Sequence, residues 1–257
     1  MKFLQSLSAQ VSLFTQGAIL ALGVVFILLD VITESLNPVI DLAWVTVLVC
    51  GLPLLINSVQ SIWERLEIHA NFLIVVAMVA LISNGDYHTA AYVGLIVQAG
   101  FFLEQLITGE SHYTVDDDML PTMPAQLVAM RQGINNYSSA IVVAVLLLSM
   151  GSFALTQDFI HTVTLLLVLC PCSLELILVA LMMGSLVDDA SPVSELSKGT
   201  KQSHLGLLIV SIVFHVAIIC VGVLGLIDPV TAVALHGLAR LGLVYNLKVL
   251  NGSLCVA

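Results

Sequence analysis

The chain is short of charged residues, and above all of basic ones. Only 9% of its 257 residues are charged, whereas 59% are hydrophobic. A soluble domain has about 25% charged residues, so this composition excludes a water-soluble globule. Seven Lys and Arg against seventeen Asp and Glu give a net charge of -10, which argues against nucleic acid as a partner. The composition indicates an integral membrane protein, with the lipid bilayer as its main partner.

Long apolar segments occupy most of the chain. A helix needs about 20 largely apolar residues to cross a membrane, and eight segments approach this length. They are 11–33, 38–57, 68–84, 87–107, 137–156, 159–186, 204–227 and 230–250. These segments are too long and too continuous for the alternating pattern of a membrane β-barrel. We therefore predict an all-α, polytopic membrane helix bundle with about eight transmembrane helices.

The basic residues indicate an orientation. With the N-terminus inside, the cytoplasmic segments hold Lys2, Arg65, Arg131, Lys198 and Lys201. The opposite turns contain acidic residues and no Lys or Arg. Because basic residues favour the cytoplasmic side, we predict a multi-pass protein of the cell membrane with both termini cytoplasmic. The two long loops, about 108–136 and 187–203, are smaller than an independent domain, so 1–257 is predicted to be a single transmembrane domain.

The sixth apolar segment contains Cys170-Pro171-Cys172 near its middle. Proline removes a backbone hydrogen bond and clashes with the preceding turn, so the helix is expected to break or kink there. In lipid, the freed carbonyl group must be satisfied by protein or by water in a cavity. Soft thiolates favour Cu(I), Zn or related metals, which predicts a metal or metal-cofactor site. The alternative is two buried small hydrophobic residues beside an ordinary kink.

The segment Leu-Val-Leu-Cys-Pro-Cys-Ser-Leu at 167–174 resembles the Cys-Pro-Cys helix of heavy-metal-transporting P-type ATPases. Further short segments follow that family's order: 51–55, 68–73, 90–91, 103–104, 224–226 and 246–250. The resemblance covers roughly 39–133 and 159–250. It implies the membrane domain of a metal pump, with Cys170 and Cys172 as metal ligands.

The domains that drive such pumps are missing. In the family, the two cytoplasmic loops hold the actuator, phosphorylation and nucleotide-binding domains, but here they have about 29 and 17 residues. The string nearest to the phosphorylation motif, Ser-Lys-Gly-Thr at 197–200, has Ser in place of the acceptor Asp. We therefore predict that the chain is not an enzyme. ATP-driven transport would require a separate polypeptide to supply the missing chemistry.

Two intramembrane histidines extend the predicted site. By resemblance, His215 and His236 align with a Lys and an Asp of the zinc and cadmium exporters. Two thiolates and two imidazoles suit tetrahedral Zn. At about 1.5 Å per residue, however, the predicted helix ends place His236 roughly 9 Å away in depth from His215 and the cysteines. A four-ligand site and ordinary hydrogen-bonded interior histidines are therefore both open.

Arg240 lies inside the eighth segment and is always charged. We expect it to pair with Glu175, which would tie the sixth helix to the eighth. Alternatively it faces an anionic group of a ligand, such as a haem propionate. A fixed positive charge opposes the passage of a divalent cation, and Phe101 stands where zinc exporters often have a membrane Glu. Both features favour metal binding over permeation.

The leading hypothesis is a membrane protein that binds a transition metal or a metal cofactor through the Cys-Pro-Cys helix. The expected group is a metal ion, with Zn as one candidate, or haem, for which Cys and His are plausible axial ligands. The alternatives are passive or partner-driven metal permeation, haem binding or sensing, and a regulatory subunit of a full-length pump. The corresponding protein partners are a full-length ATPase or a second copy of the chain.

Overall fold

A computed structural model describes residues 13–34, 42–65, 70–108, 125–170 and 196–254. This part of the chain is all-helical, with eight helices and no strand, which confirms the predicted helix bundle. The helices are α1 (Leu13–Glu34), α2 (Ala43–Arg65), α3 (Ala70–Ser83), α4 (Tyr87–Thr108), α5 (Ala125–Thr156), α6 (Phe159–Val168), α7 (Leu196–Val223) and α8 (Pro229–Leu254).

Four of these helices are long and apolar enough to cross a membrane. Their apolar segments are Thr15–Ile32, Ala43–Trp63, Tyr87–Ile107 and Tyr137–Thr156. The other four described helices have shorter apolar segments: Asn71–Ser83, Phe159–Val168, Ile209–Val223 and Pro229–Tyr245. The protein is therefore a membrane protein. The count of eight crossings stays a prediction.

The structure corrects several predicted boundaries. Helix α5 begins at Ala125 and α7 begins at Leu196, so the second parts of the predicted loops 108–136 and 187–203 are helical. The Ala-Gln-Leu-Val-Ala-Met-Arg-Gln sequence that opens α5 consists largely of good helix formers. This favours a helix that continues beyond the apolar segment.

Helix α7 ends at Val223, four residues before its predicted end at position 227. Gly225 adopts φ +67, a left-handed conformation that favours glycine. The Gly225 N–H donates to the Gly222 carbonyl at 3.0 Å, and the Leu226 N–H donates to the Val221 carbonyl at 3.2 Å. These two C-capping hydrogen bonds satisfy carbonyl groups at the helix end and terminate α7.

Helices α4 and α6 connect the bundle. Helix α4 packs against α1, α2, α3 and α8, and α8 has its most extensive contact with α4. Helix α6 packs against α3, α5, α7 and α8. Small residues permit close approach between such helices: a Cβ at Gly222 would lie 2.9 Å from Val168 Cγ2. The buried core of α3, α4 and α6 includes Leu73, Val93 and Leu167.

The two ends of the helix bundle differ in the charge of their residues. The connections that precede α4, α6 and α8 contain Asp86, Asp158 and Asp228, and we call this end the acidic side. The opposite ends of the helices, the basic side, contain Arg65, Arg131, Lys198, Lys201 and Lys248. Three exposed aromatic residues lie toward the basic side, on α2, α5 and α8: Trp63, Tyr137 and Tyr245. The orientation, with the basic side cytoplasmic, stays a prediction.

Candidate metal site and intramembrane ion pair

The structure brings the two predicted histidines together. The rings of His215 on α7 and His236 on α8 meet edge to face, with 5.5 Å between their centroids. Both side chains are buried, at 8% and 6% exposure. The predicted difference in depth is therefore wrong. Because α7 ends early, at Val223, each histidine lies about two helical turns from the acidic-side end of its own helix.

A hydrogen bond fixes the tautomer of His215. Its Nδ1 lies 2.9 Å from the carbonyl oxygen of Ser211, one turn earlier on α7. Since a carbonyl oxygen can only accept, Nδ1 must be the protonated donor. In the neutral ring, the lone pair is then on Nε2. Metal-binding histidines commonly have this arrangement, with one ring nitrogen bound to a backbone carbonyl and the other available to a metal.

Cys170 is buried at the end of α6, with 5% exposure. The helix ends at Val168, and the Leu169 N–H closes its last turn by donating to the Leu165 carbonyl at 3.0 Å. A residue that precedes proline disfavours helical geometry, so an end at this position agrees with the predicted break. Pro171, Cys172 and Glu175 lie outside the described residues.

Within the described ranges, no group of three or more His, Cys, Asp and Glu side chains is arranged to hold a metal ion. The described part of the predicted donor set therefore consists of the histidine pair and one buried thiol. Both histidine-bearing helices pack against α6, the helix that leads into the Cys-Pro-Cys sequence. The four-ligand site stays a prediction.

An ion pair connects α4 to α8. Arg240 Nη2 lies 3.0 Å from Glu104 Oε2 and 3.3 Å from Oε1. The guanidinium carbon also lies 5.3 Å from the centroid of the Phe101 ring, within cation–π range. Both charged side chains are 22% exposed. The expected partner of Arg240, Glu175, lies outside the described residues, and the pairing with Glu104 was not predicted from the sequence.

A partly open cavity lies between the ion pair and His236. Its volume is about 40 Å³, and it is lined by residues of α3, α4 and α8. Its polar lining consists of His236, Glu104 and Arg240, while Gly100 and Gly237 contribute no side chain. A cavity of this size has room for a few water molecules.

A second polar contact, also missed in the sequence, lies toward the acidic side. Asp30 on α1 is 7% exposed, and its Oδ1 accepts a hydrogen bond of 2.9 Å from the Leu42 N–H. Its Oδ2 lies 3.2 Å from Nδ1 of His88 on α4. The carboxylate thus connects α1 to α4 and to the residue that precedes α2. An acidic residue near the end of an apolar helix was the available signal.

Comparison with protein-family models, curated proteins and solved structures finds no match. The fold and the buried polar contacts define an α-helical membrane protein. The resemblance to the membrane domain of metal pumps therefore depends on the sequence segments quoted above.

Proposed function

We propose that this protein binds a transition-metal ion within the membrane. Cys170 and Cys172 act as thiolate ligands, and His215 and His236 act as imidazole ligands. The observation that carries the proposal is the contact between the two buried imidazole rings, on helices that both pack against α6. The buried Cys170 thiol lies directly after that helix.

The charge of the proposed donor set suits a divalent ion in an apolar environment. An uncompensated charge is costly inside a membrane protein. Two thiolates neutralise a divalent cation, and two neutral imidazoles complete the coordination without adding charge. Zn accepts this combination of sulfur and nitrogen in tetrahedral geometry. The His215–Ser211 hydrogen bond contributes by presenting Nε2 as the ligand atom.

A bound ion is favoured over haem by the space beside His236 among the described residues. The cavity that His236 lines there measures about 40 Å³, whereas pockets for organic cofactors typically measure about 300–1,000 Å³. Binding is favoured over permeation by the Glu104–Arg240 ion pair. One turn from His236, toward the basic side, Arg240 already holds the Glu104 carboxylate, so this carboxylate is not a ready ligand for a cation that moves past His236.

The proposal is tested by metal analysis of the purified protein. We expect about one Zn per wild-type chain, because a single donor set is proposed. The Cys170→Ala, Cys172→Ala double variant should retain only background metal. The matched control is the Cys50→Ala, Cys220→Ala double variant, since these cysteines lie on α2 and α7 outside the proposed donor set.

The absorption spectrum of the same samples gives an independent answer about haem. Wild-type protein should show no Soret band. The proposed ion site is wrong if the Cys170→Ala, Cys172→Ala variant retains all of its metal. It is also wrong if the Cys50→Ala, Cys220→Ala control loses as much metal as that variant.

A further inference from the structure

The acidic side contains a polar contact that the proposed metal site does not use. Oδ2 of Asp30 on α1 lies 3.2 Å from Nδ1 of His88 on α4. The Asp30 side chain is 10% exposed, whereas the His88 side chain is 48% exposed. Asp30 Oδ1 also accepts the hydrogen bond from the N–H of Leu42, which lies directly before α2. The contact thus joins a buried carboxylate to an exposed imidazole where α1, α2 and α4 meet.

The exposed connection before α4 places this contact at the membrane surface. His88 is the second residue of α4 and follows the non-helical residues 84–86, of which Gly85 has φ +82. Exposed non-helical backbone does not occur within the hydrocarbon core of a bilayer. The Trp44 and Tyr87 rings lie 4.7 Å apart at the same end of the bundle, and such aromatic residues concentrate at the membrane–water interface. The exposed part of the His88 ring therefore contacts interfacial water.

The charge of the contact changes at the other nitrogen of the His88 ring. An ionised carboxylate only accepts hydrogen bonds and would repel an unprotonated Nδ1 at 3.2 Å, so Nδ1 carries a proton. Nε2 is the nitrogen at which a second proton is gained or lost. With that proton the Asp30 carboxylate faces a cation, and without it the carboxylate faces a neutral ring. The contact between opposite charges is the stronger of the two.

Several other ionisable residues lie at this end of the described helices that pack around the contact. On α1, on α4 and in the connections before α4 and α8, they are Glu34, Asp86, Tyr87, Tyr92 and Asp228. The first turn of α2 and the last turn of α3 contain none. Between about pH 5 and 8, histidine is the type of side chain that ordinarily gains or loses a proton. A change of the contact in that range therefore comes from His88.

Helix α1 is the part of the bundle that this contact can hold or release. Its extensive contacts are with α2 and α4. Among the four long apolar helices, α1 has the smallest share of buried residues. Elements with few buried contacts separate from the rest of a protein at a lower cost in free energy. A change of charge at one contact therefore acts more strongly on α1 than on the other three helices.

We propose that Asp30 and His88 form a pH-sensitive clasp, which holds the acidic-side end of α1 against α4. The clasp is firm when both ring nitrogens of His88 carry protons. It loosens as the pH rises from about 5.5 to about 8, because Nε2 loses its proton and the carboxylate then faces a neutral ring. The proposal does not depend on metal binding, since neither residue belongs to the proposed donor set.

The clasp is tested by residue-resolved hydrogen–deuterium exchange of the full chain in lipid nanodiscs. The Leu42 N–H reports on the clasp directly, because it donates to the Asp30 carboxylate. Its protection factor, corrected for the pH dependence of intrinsic exchange, should be about threefold higher at about pH 5.5 than at about pH 8. The internal reference is the Thr231 N–H, which donates to Asp228 on the same side. Its protection factor should be equal at the two pH values.

Two variants remove the change of charge in different ways. His88→Gln keeps a polar side chain that does not titrate, so the protection of Leu42 should no longer depend on pH. Asp30→Asn keeps an oxygen that can accept from the Leu42 N–H but loses the negative charge, and it should also abolish the pH dependence. The matched control is His161→Gln, because His161 lies on the same side but on α6, whose extensive contacts do not include α1 or α4. This variant should keep the wild-type pH dependence.

Equal protection of Leu42 at the two pH values in wild type would overturn the proposal. An unchanged pH dependence in His88→Gln would also overturn it, and so would the loss of the pH dependence in His161→Gln. Far-UV circular dichroism checks the folding of each variant. If His88→Gln does not fold, Asp30→Asn provides the same test.

Discussion

The Glu104–Arg240 pair offers a quantitative test of the helix packing. At a charge separation of roughly 4 Å and an effective dielectric constant of about 20, the attraction is about 4 kcal/mol. The side chains are 22% exposed, so the pair is not fully buried and this energy must be discounted. We therefore expect a coupling energy of about 2 kcal/mol between the two residues.

The two single variants should differ in severity. Glu104→Gln leaves the Arg240 guanidinium charged in a largely apolar environment, because arginine cannot lose its proton. Arg240→Met leaves a carboxylate, which can become neutral by taking up a proton. We expect Glu104→Gln to lower the free energy of unfolding by about 3 kcal/mol, and Arg240→Met to lower it by less. The double variant should lose less than the sum of the two.

The assay is unfolding in mixed detergent micelles by increasing SDS, followed by far-UV circular dichroism. The control cycle combines Glu104→Gln with Asp30→Asn, because Asp30 lies toward the opposite side of the bundle. Those two changes should add within about 0.5 kcal/mol. Additive losses for Glu104→Gln and Arg240→Met would refute the ion pair, and so would a larger loss for Arg240→Met.

Three further variants test other parts of the fold. Gly222→Ala should destabilise the protein by about 1–3 kcal/mol, because the added Cβ would lie 2.9 Å from a Val168 methyl group. The control is Gly151→Ala, whose Cβ would meet no atom within 4 Å. This control should not lower the SDS concentration at the unfolding midpoint. Asp30→Asn should cost about 1–3 kcal/mol in the same titration, because it weakens a buried, charge-assisted contact between helices. The hydrogen bond from the Thr231 hydroxyl lowers the pKa of the Asp228 carboxyl from its ordinary value of 3.8. This hydrogen bond therefore stabilises the fold above pH 3.8. The stabilisation is lost as the pH falls through the lowered pKa of Asp228. Thr231→Val should bring the Asp228 midpoint back toward 3.8 in a carboxyl-selective NMR titration; an unchanged midpoint would contradict this cause.

The positions of the helices could be predicted from the sequence because membrane helices need long apolar segments. Six of the eight described helices begin within about five residues of the predicted segments, whereas α5 and α7 begin earlier in sequence with more polar residues. The end of α7 was missed for a local reason. Gly225 lies inside the predicted segment, and its left-handed conformation stops the helix two residues earlier. A glycine near a predicted helix end was the usable signal.

The contacts between helices could not be predicted in the same way. Glu104 and Arg240 are 136 positions apart, and their pairing depends on the packing of α4 against α8. Most of these helices are apolar on all faces. The periodicity of hydrophobic residues therefore does not identify the face that packs against a neighbouring helix. A usable signal was the presence of one acidic residue in α4 and one basic residue in the apolar part of α8, since buried opposite charges tend to pair.

The histidine pair illustrates how a small error in a helix boundary changes a functional interpretation. When α7 was expected to end at position 227, His215 and His236 were predicted to lie at different depths. Because α7 ends at Val223, the two histidines lie at nearly the same distance from the acidic-side ends of their helices. Their rings are in contact. This contact strengthens the proposal of a joint sulfur and imidazole site.

X-ray absorption at the Zn K-edge tests that proposal most directly, because it counts the ligand atoms around the bound ion. The wild-type spectrum should fit two sulfur atoms at about 2.3 Å and two nitrogen atoms at about 2.0–2.1 Å. His215→Gln combined with His236→Gln should replace the imidazole signal with that of oxygen ligands and keep both sulfur atoms. A wild-type spectrum with oxygen ligands alone would contradict the account.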